Sequence, residues 1–288
     1  MKHPNGMTLG PMWQEERGIL DEWAAREGWN PGLTDLETVW DYDPDAFIAL
    51  RKGSELVGGG TILSYERRFG FMGLFIMRPD VRGQGLGSRL WHYRRDQLRQ
   101  RLNEGAAIGM DGVYHMMPFY RAGGFELAYR HIRHQGTAQG GGSGEGKVTP
   151  LDQIPFDQVD RYDRLCFPVP RTGFLLRWVR QPGVHAVGIM ENGSLVGYAV
   201  ARPCRVGYKL GPVFADSRAV ADSLMSDLFS RIQGQQVQMD VPEPHQVALT
   251  LARCWGLSEV FGCGRMYFGE APRTDIRRVY GVTSLEFG

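Results

Sequence analysis

At 288 residues the chain exceeds the roughly 100–200 residues that one hydrophobic core usually serves, so two domains are expected. With 33 basic and 32 acidic residues the net charge is +1, which excludes the strongly basic footprint of a nucleic-acid or anionic-membrane binder and leaves a small molecule as the expected ligand. Four cysteines (Cys166, Cys204, Cys254, Cys263) without a C-x-x-C pair argue against a disulfide framework or a metal site, and no apolar run approaches the ~20 residues of a membrane span, so a cytoplasmic protein is expected.

In chain order, "MWQEERGILDEWAARE" sets Trp13, Ile19, Leu20 and Trp23 at near-helical spacing, and "TDLETVWDYD" reads as a second short helix capped by Thr34 or Asp35. "AFIALRKGSELVGGGTILSYERRFGFMGLFIMRP" holds three apolar runs separated by "KGS" and "ERR", an antiparallel meander. A glycine loop follows, then a helix whose inner positions are Leu86, Leu90, Tyr93 and Gln97 or Leu98, with Arg94, Arg95, Arg99 and Arg101 at solvated positions. "AAIGMDGVY" reads as a strand, "MMPFYRAGG" as a short helix closed by glycine, and "FELAYRHIRH" as another strand.

From Gln135 to Lys147 the chain is almost without apolar residues and rich in glycine, as a flexible linker is. The second half then repeats the first: strand, "ENGS" turn and two strands across 185–216, the helix "SRAVADSLMSDLFSRI" opening on Asp216 or Ser217, the strand "QQVQMDVPEP", the helix "HQVALTLARCWG", and terminal strands in "FGCGRMYFG" and "VYGVTSLEF". The boundaries expected are a first domain at 1–134, a linker at 135–147 and a second domain at 148–288. Each is a mixed α/β unit, a central sheet flanked by helices.

The chemistry concentrates in "RPDVRGQGLGSRL". Glycines at 83, 85 and 87 free the backbone from side-chain bulk just where a helix begins, so successive N–H groups can converge on an anion. A dinucleotide fingerprint would need G-x-G-x-x-G, but Ser88 stands three residues after Gly85; a Walker loop would need Gly-Lys-Ser/Thr, but Ser88 and Arg89 follow Gly87.

This loop resembles the acyl-CoA loop of the GNAT acetyltransferase superfamily, R/Q-x-x-G-x-G/A, matched by Arg82, Gly85 and Gly87. "FYRAGGF" (119–125) is similar to that superfamily's tyrosine helix and Gly-Phe strand entry. "EWAAREGWNPG", "CFPVPR", "ARPCRVGYKLGP", "DVPEP" and "VYGVTSLE" resemble a bacterial tandem group that pairs a GNAT domain with a divergent C-terminal copy.

The resemblance implies that Arg82, Gly83, Gln84, Gly85, Leu86, Gly87 and Ser88 hold the pyrophosphate of acetyl-CoA or another acyl-CoA, and that the backbone of Phe75, Ile76 and Met77 pairs with pantetheine. It implies N-acyl transfer to a small-molecule amine by direct attack in a ternary complex, by a monomer or homodimer. A noncatalytic acyl-CoA-binding or sensing protein is the alternative. Tyr120 matches the superfamily's acid, and a phenol of pKa about 10 is protonated at neutral pH. No acid lies on the strand before the loop, so the expected base is Asp111 or His115, at and beyond the end of the next strand.

The second copy has "GYKLGPVF" leading to "ADSRAVADSL", with no alternating glycines and with Asp216 to repel a phosphate, so it is expected not to bind CoA. Its Asp240, Glu243 and His245 are candidates to meet a polar or cationic acceptor, with turn and cap roles as the alternative. Cys166, lacking a histidine partner, is expected to be a buried hydrophobe.

Overall fold

The computed structural model describes residues 6–140 and 147–288. The part of the expected linker at 141–146 lies outside them, and the linker's first residues belong to a strand. The first half opens with a strand not anticipated from the sequence, β1 (Met7–Pro11), whose five residues show little alternation and which pairs with β2 (Phe47–Lys52). Between them lie α1 (Arg17–Arg26) and α2 (Asp35–Tyr42). Thr34 occupies the cap position of α2 without a capping bond; Asp35 accepts the Gly32 N–H at 2.9 Å instead.

The meander continues through β3 (Glu55–Tyr65) and β4 (Phe69–Met77). Then come α3 (Leu86–Arg101), β5 (Ile108–Val113), α4 (Met117–Ala122) and β6 (Glu126–Thr137). The second half adds β7 (Val148–Pro150), α5 (Phe156–Cys166) and α6 (Thr172–Trp178), which the sequence reading passed over although Val159, Tyr162 and Cys166 form a buried helical stripe. It then repeats the first half as β8 (His185–Glu191), β9 (Ser194–Pro203), β10 (Tyr208–Ala215), α7 (Arg218–Arg231), β11 (Gln236–Pro242), α8 (Gln246–Cys254) and β12 (Ser258–Phe268), with β13 (Val279–Gly281) last.

Two mixed sheets flanked by helices are present, as expected, but they merge into one sheet of order β1-β2-β3-β4-β5-β12-β6-β11-β10-β9-β8-β7, with β13 on β10. The merger is an exchange of strands. β6, from the first half, pairs with β11 of the second, and β12, from the second half, pairs with β5 of the first. β6 and β12 also pair with each other, so each half completes the other's sheet.

Two expectations fail. Beyond β13 the "VYGVTSLEF" segment makes no ladder: Thr283 is bonded by Arg171 and Arg202, Tyr65 donates to the Phe287 carbonyl at 2.7 Å, and the segment threads buried to β4. Arg94 is not solvated. On α3 the inward stripe is Leu86, Leu90, Arg94 and Leu98, at a strict spacing of four, and Arg94 is fully buried.

Candidate active site

β4 and β5 are parallel neighbours only at Gly70–Ile108 and Phe71–Gly109; beyond that point they diverge. On its other edge β4 carries a bulge. Thr61 opposes Gly73 while Gly59 opposes Ile76, giving β4 one extra residue, and Leu74 within it has φ +51°, a left-handed conformation that a leucine rarely adopts. The divergence leaves part of the Met72–Met77 edge without a strand partner, and the bulge re-aims its peptide groups.

The glycine loop stands at the mouth of this opening. Gly83 and Gly85 have φ +76° and +74°, so each needs the left-handed region, and Gly85 sits at the cap position of α3 with no side chain capping the helix. The first helical bond of the loop is Arg89 N–H to Gly85 C=O at 3.3 Å, and the amides before it face outward at the positive helix end. Gly87 is helical; a side chain there would meet Met77 and Phe75. Arg82 is tied back by its Nε to the Met77 carbonyl at 2.9 Å and ion-pairs with Glu27. Gln84 donates to the Asp80 carbonyl, and Ser88 Oγ lies 3.3 Å from His92 Nδ1.

Loop, diverging strands and α4 enclose one cavity of about 790 Å³. Phe75, Ile76, Met77, Arg82, Gly83, Gly87, Ser88, Asp111, His115 and Tyr120 all line it; Gln84, Gly85 and Leu86 do not. Tyr120 stacks on buried Trp91 with ring centroids 6.1 Å apart, and burial pushes its phenol up to about 12. It therefore holds a proton throughout the neutral range.

Asp111 does not suit the role of base expected for it. Its carboxylate is buried, accepts from Arg265 Nε and Nη2 at 2.9 and 2.7 Å, and lies 2.9 Å from His131 Nδ1. Although burial alone would raise it, the adjoining Arg265 and His131 hold its pKa at about 2, too weak a base for an ammonium proton. Asp111, His131 and Cys263 present ligand atoms within 4.8 Å of one another, but Arg265 already supplies the positive charge such a cluster would seek, and burial keeps Cys263 a thiol. His115 sits exposed at the cavity rim, on the turn after β5.

Asp240, Glu243 and His245 are spent on structure. Asp240 is buried in a two-pronged pair with Arg133, Glu243 pairs with Arg130, and His245 Nδ1 caps α8 by accepting the Ala248 N–H at 2.9 Å. Ser217 is the residue that caps α7, and Asp216 instead accepts from the Tyr162 hydroxyl. Cys166 is buried and its thiol pushed well up by that burial, as its expected packing role requires.

Several cavity residues were not legible in advance because the strand exchange brings them in. Phe261, Gly262 and Cys263 arrive on β12, Arg133 on β6, and Leu285 and Glu286 on the C-terminal segment. Glu286 is delivered by a close approach: a Cβ on Gly73 would fall 1.8 Å from the Glu286 carbonyl oxygen, so only glycine lets the segment cross β4 there. Three acids line the cavity. Glu27 is paired with Arg82 and Asp111 with Arg265, whereas Glu286 accepts from Ser284 Oγ and stands 3.7 Å from Lys209 Nζ, outside any arginine pair.

Known families match both halves. The "Acetyltransferase (GNAT) family" profile matches residues 13–125 and the "Acetyltransferase (GNAT) domain" profile residues 159–281. A holothin acyltransferase of Pseudoalteromonas sp. (strain SANK 73390) is 28% identical over 289 residues, covering 100% of this chain and 97% of its own. A putative acetyltransferase of Pyrococcus horikoshii superposes with a TM-score of 0.85 at 22% identity, covering 100% of this chain and 99% of its own. A tandem GNAT protein from the clavulanic acid biosynthesis pathway superposes at 0.65 and 13% identity, covering 93% and 99%. Among the described residues no helix is long and apolar enough to cross a membrane.

Proposed function

Since this chain belongs to the GNAT superfamily of acyl-CoA-dependent acyltransferases, as a tandem protein with a divergent second unit, we propose that it acylates a primary amine of a small molecule by direct attack in a ternary complex. Residues 1–134 would supply the cofactor machinery, and residues 148–288 the wall against which the acceptor sits. The observation that carries this reading is the convergence, in one cavity, of the open-amide loop, the diverging β4 and β5, and a protonated tyrosine.

The pyrophosphate lies on the amides from Gly83 to Ser88 at the start of α3, with the charge-dipole attraction available at a helix N-terminus. Pantetheine follows the β4 edge at Phe75–Met77, which aims the thioester at the bulge. There, backbone N–H groups polarise its carbonyl and stabilise the oxyanion that forms on attack. The acceptor enters between Trp29, Phe261 and Leu285. Its ammonium meets Glu286, which takes the proton and leaves a neutral nucleophile.

Nitrogen then bonds to the acyl carbon and releases its second proton to water, the carbon–sulfur bond breaks, and Tyr120 protonates the departing thiolate. Return of the Glu286 proton to Tyr120 through water restores both groups, and free CoA thiol and an amide are the products. A covalent acyl-enzyme is disfavoured, because the cavity's one cysteine, Cys263, is held as a thiol by burial beside Asp111 and Asp240.

The test is steady-state kinetics with an acyl-CoA and a panel of amines, followed by thiol release. Intersecting double-reciprocal lines are expected. Parallel lines together with a mass shift on the protein would overturn direct attack, and no thiol release with any amine would overturn the transferase assignment of this cavity.

A further inference from the structure

Six arginines are buried among the described residues, and five face a carboxylate: Arg51 with Glu16, Arg133 with Asp240, Arg171 with Asp163, Arg202 with Asp35 and Arg265 with Asp111. Arg94 has none. Its Nη2 donates to the carbonyls of Thr61, at 2.6 Å, and Gly73, the two residues bordering the bulge, while Nε and Nη1 have no partner. The guanidinium lies on Gly60, where a Cβ would fall 2.5 Å from Cζ. Burial draws its pKa down to about 9, so it remains a cation at neutral pH.

A buried cation without a counter-charge is costly, and the other five sites show how this protein otherwise avoids it. Bracing the bulge carbonyls needs only one nitrogen. Of the remaining two, Nε–H shares its edge with the occupied Nη2, so Nη1 is the nitrogen left to donate to a carboxylate oxygen.

Position identifies where such a carboxylate would come from. Arg94 is six residues beyond Ser88, about 9 Å along α3 from the phosphate cradle, and lines the cavity with Met72, Trp91, Met110 and Tyr120. It holds the carbonyl of Gly73, next to the bulge where the thioester is placed. Whatever lies beyond the thioester on the cofactor is the acyl chain, and the rest of this wall is apolar or aromatic.

We propose that the acyl group this site is built to transfer ends in a carboxylate, as in a succinyl chain, and that Arg94 is the residue that receives it. This rests on the acyl-CoA reading above. The transfer is balanced as before: the amine nitrogen bonds to the thioester carbon, CoA leaves as the thiol, and the distal carboxylate passes unchanged into the product. Arg94 then sets acyl specificity, and its lone charge is compensated only in the loaded protein.

The test compares succinyl-CoA with 4-methylpentanoyl-CoA, whose terminal methyls replace the carboxylate oxygens, and with acetyl-CoA. Each is assayed with the same amines, with product identified by mass. The wild-type kcat/KM is expected to favour succinyl over the neutral isostere by about 10- to 100-fold, the worth of a charge-assisted hydrogen bond. Arg94→Met should abolish that preference, and Arg94→Lys, which keeps the charge but not the fixed planar donors, should retain part of it.

Equal or better use of the neutral thioesters by the wild type overturns the proposal whether or not the variants fold. So does a succinyl preference that survives in a folded Arg94→Met protein. Running acceptors with and without a carboxylate separates the sources: an Arg94-dependent preference that follows the acceptor instead also overturns it. If no thioester supports thiol release, the acyltransfer reading has failed on its own, and calorimetric affinities of the same three thioesters decide the Arg94 question, with equal binding overturning it.

Discussion

Replacing Gly85 by alanine isolates what the loop contributes. A Cβ built on Gly85 meets nothing within 4 Å, so sterics play no part and the effect is confined to the backbone at φ +74°. Holding an L-residue in that region costs about 1–2 kcal/mol. If the loop keeps its shape, the cost appears as lost stability, a fall in Tm of about 2–4 °C per kcal/mol for a chain of this size. If it relaxes in the free protein, CoA must restore it and binds about 5- to 30-fold more weakly. Calorimetric titration of CoA beside thermal unfolding separates the two. Gly87→Ala is the control: its φ is not positive, its Cβ would make ordinary contacts of 3.4 Å to Met77 and 3.5 Å to Phe75, and alanine favours a helix, so Tm is expected to hold or rise. A Gly85→Ala protein with wild-type Tm and wild-type CoA affinity would refute the claim that left-handed backbone shapes the cradle.

Tyr120→Phe keeps the stack on Trp91 and removes the acid, so kcat should drop by about 10²- to 10⁴-fold while calorimetric CoA affinity stays near wild type; an unchanged kcat eliminates Tyr120 as proton donor. Asp111, held at about 2 against about 3.9 when unfolded, contributes about 2–3 kcal/mol that is present above pH ~4 and lost as pH falls through 2. Arg265→Met leaves that carboxylate buried with His131 as its remaining partner, so urea unfolding should show a loss of about 3–5 kcal/mol at pH 7 that partly recovers on mild acidification as Asp111 protonates; a loss independent of pH would contradict the pairing. Gly73→Ala drives a methyl into the Glu286 carbonyl and should abolish turnover while the remote loop still binds CoA, which activity and titration on the same sample will show.

Local signals made most of this fold legible. Turn residues, helical spacing and the repeated order of elements fixed the meanders, the crossover helices α3 and α7, and the loop, because each depends on neighbours in sequence. The same reasoning misplaced Arg94. Side-chain type suggested a solvated position, while the spacing from Leu86 through Leu90 to Leu98 pointed inward; taken alone, that spacing would have found it. The terminal "VYGVTSLEF" has the composition of a strand, yet Arg171 and Arg202 claim Thr283 from more than eighty residues away, and no local pattern encodes that. Asp111, expected at the end of its strand, lies inside β5, which runs on to Val113, and its role turns on Arg265, a residue of the other half.

The exchange of β6 and β12 gives the divergent unit a reason to persist. Without β12, β5 would present an open edge beside the cavity, and Asp111 would lose Arg265, leaving a buried carboxylate with only His131. The segment that follows β12 then carries Glu286 across β4 at Gly73, the strand on which no acid occurs in the sequence. A loop that binds a cofactor can work on a first unit alone, whereas most of the proposed acceptor wall and the proposed proton acceptor come from the second. Selection on the second unit is therefore expected to act on β12, the C-terminal segment and the arginines that anchor it, and to leave the stretch between β10 and α7, where a second cradle would have stood, under no demand for glycine.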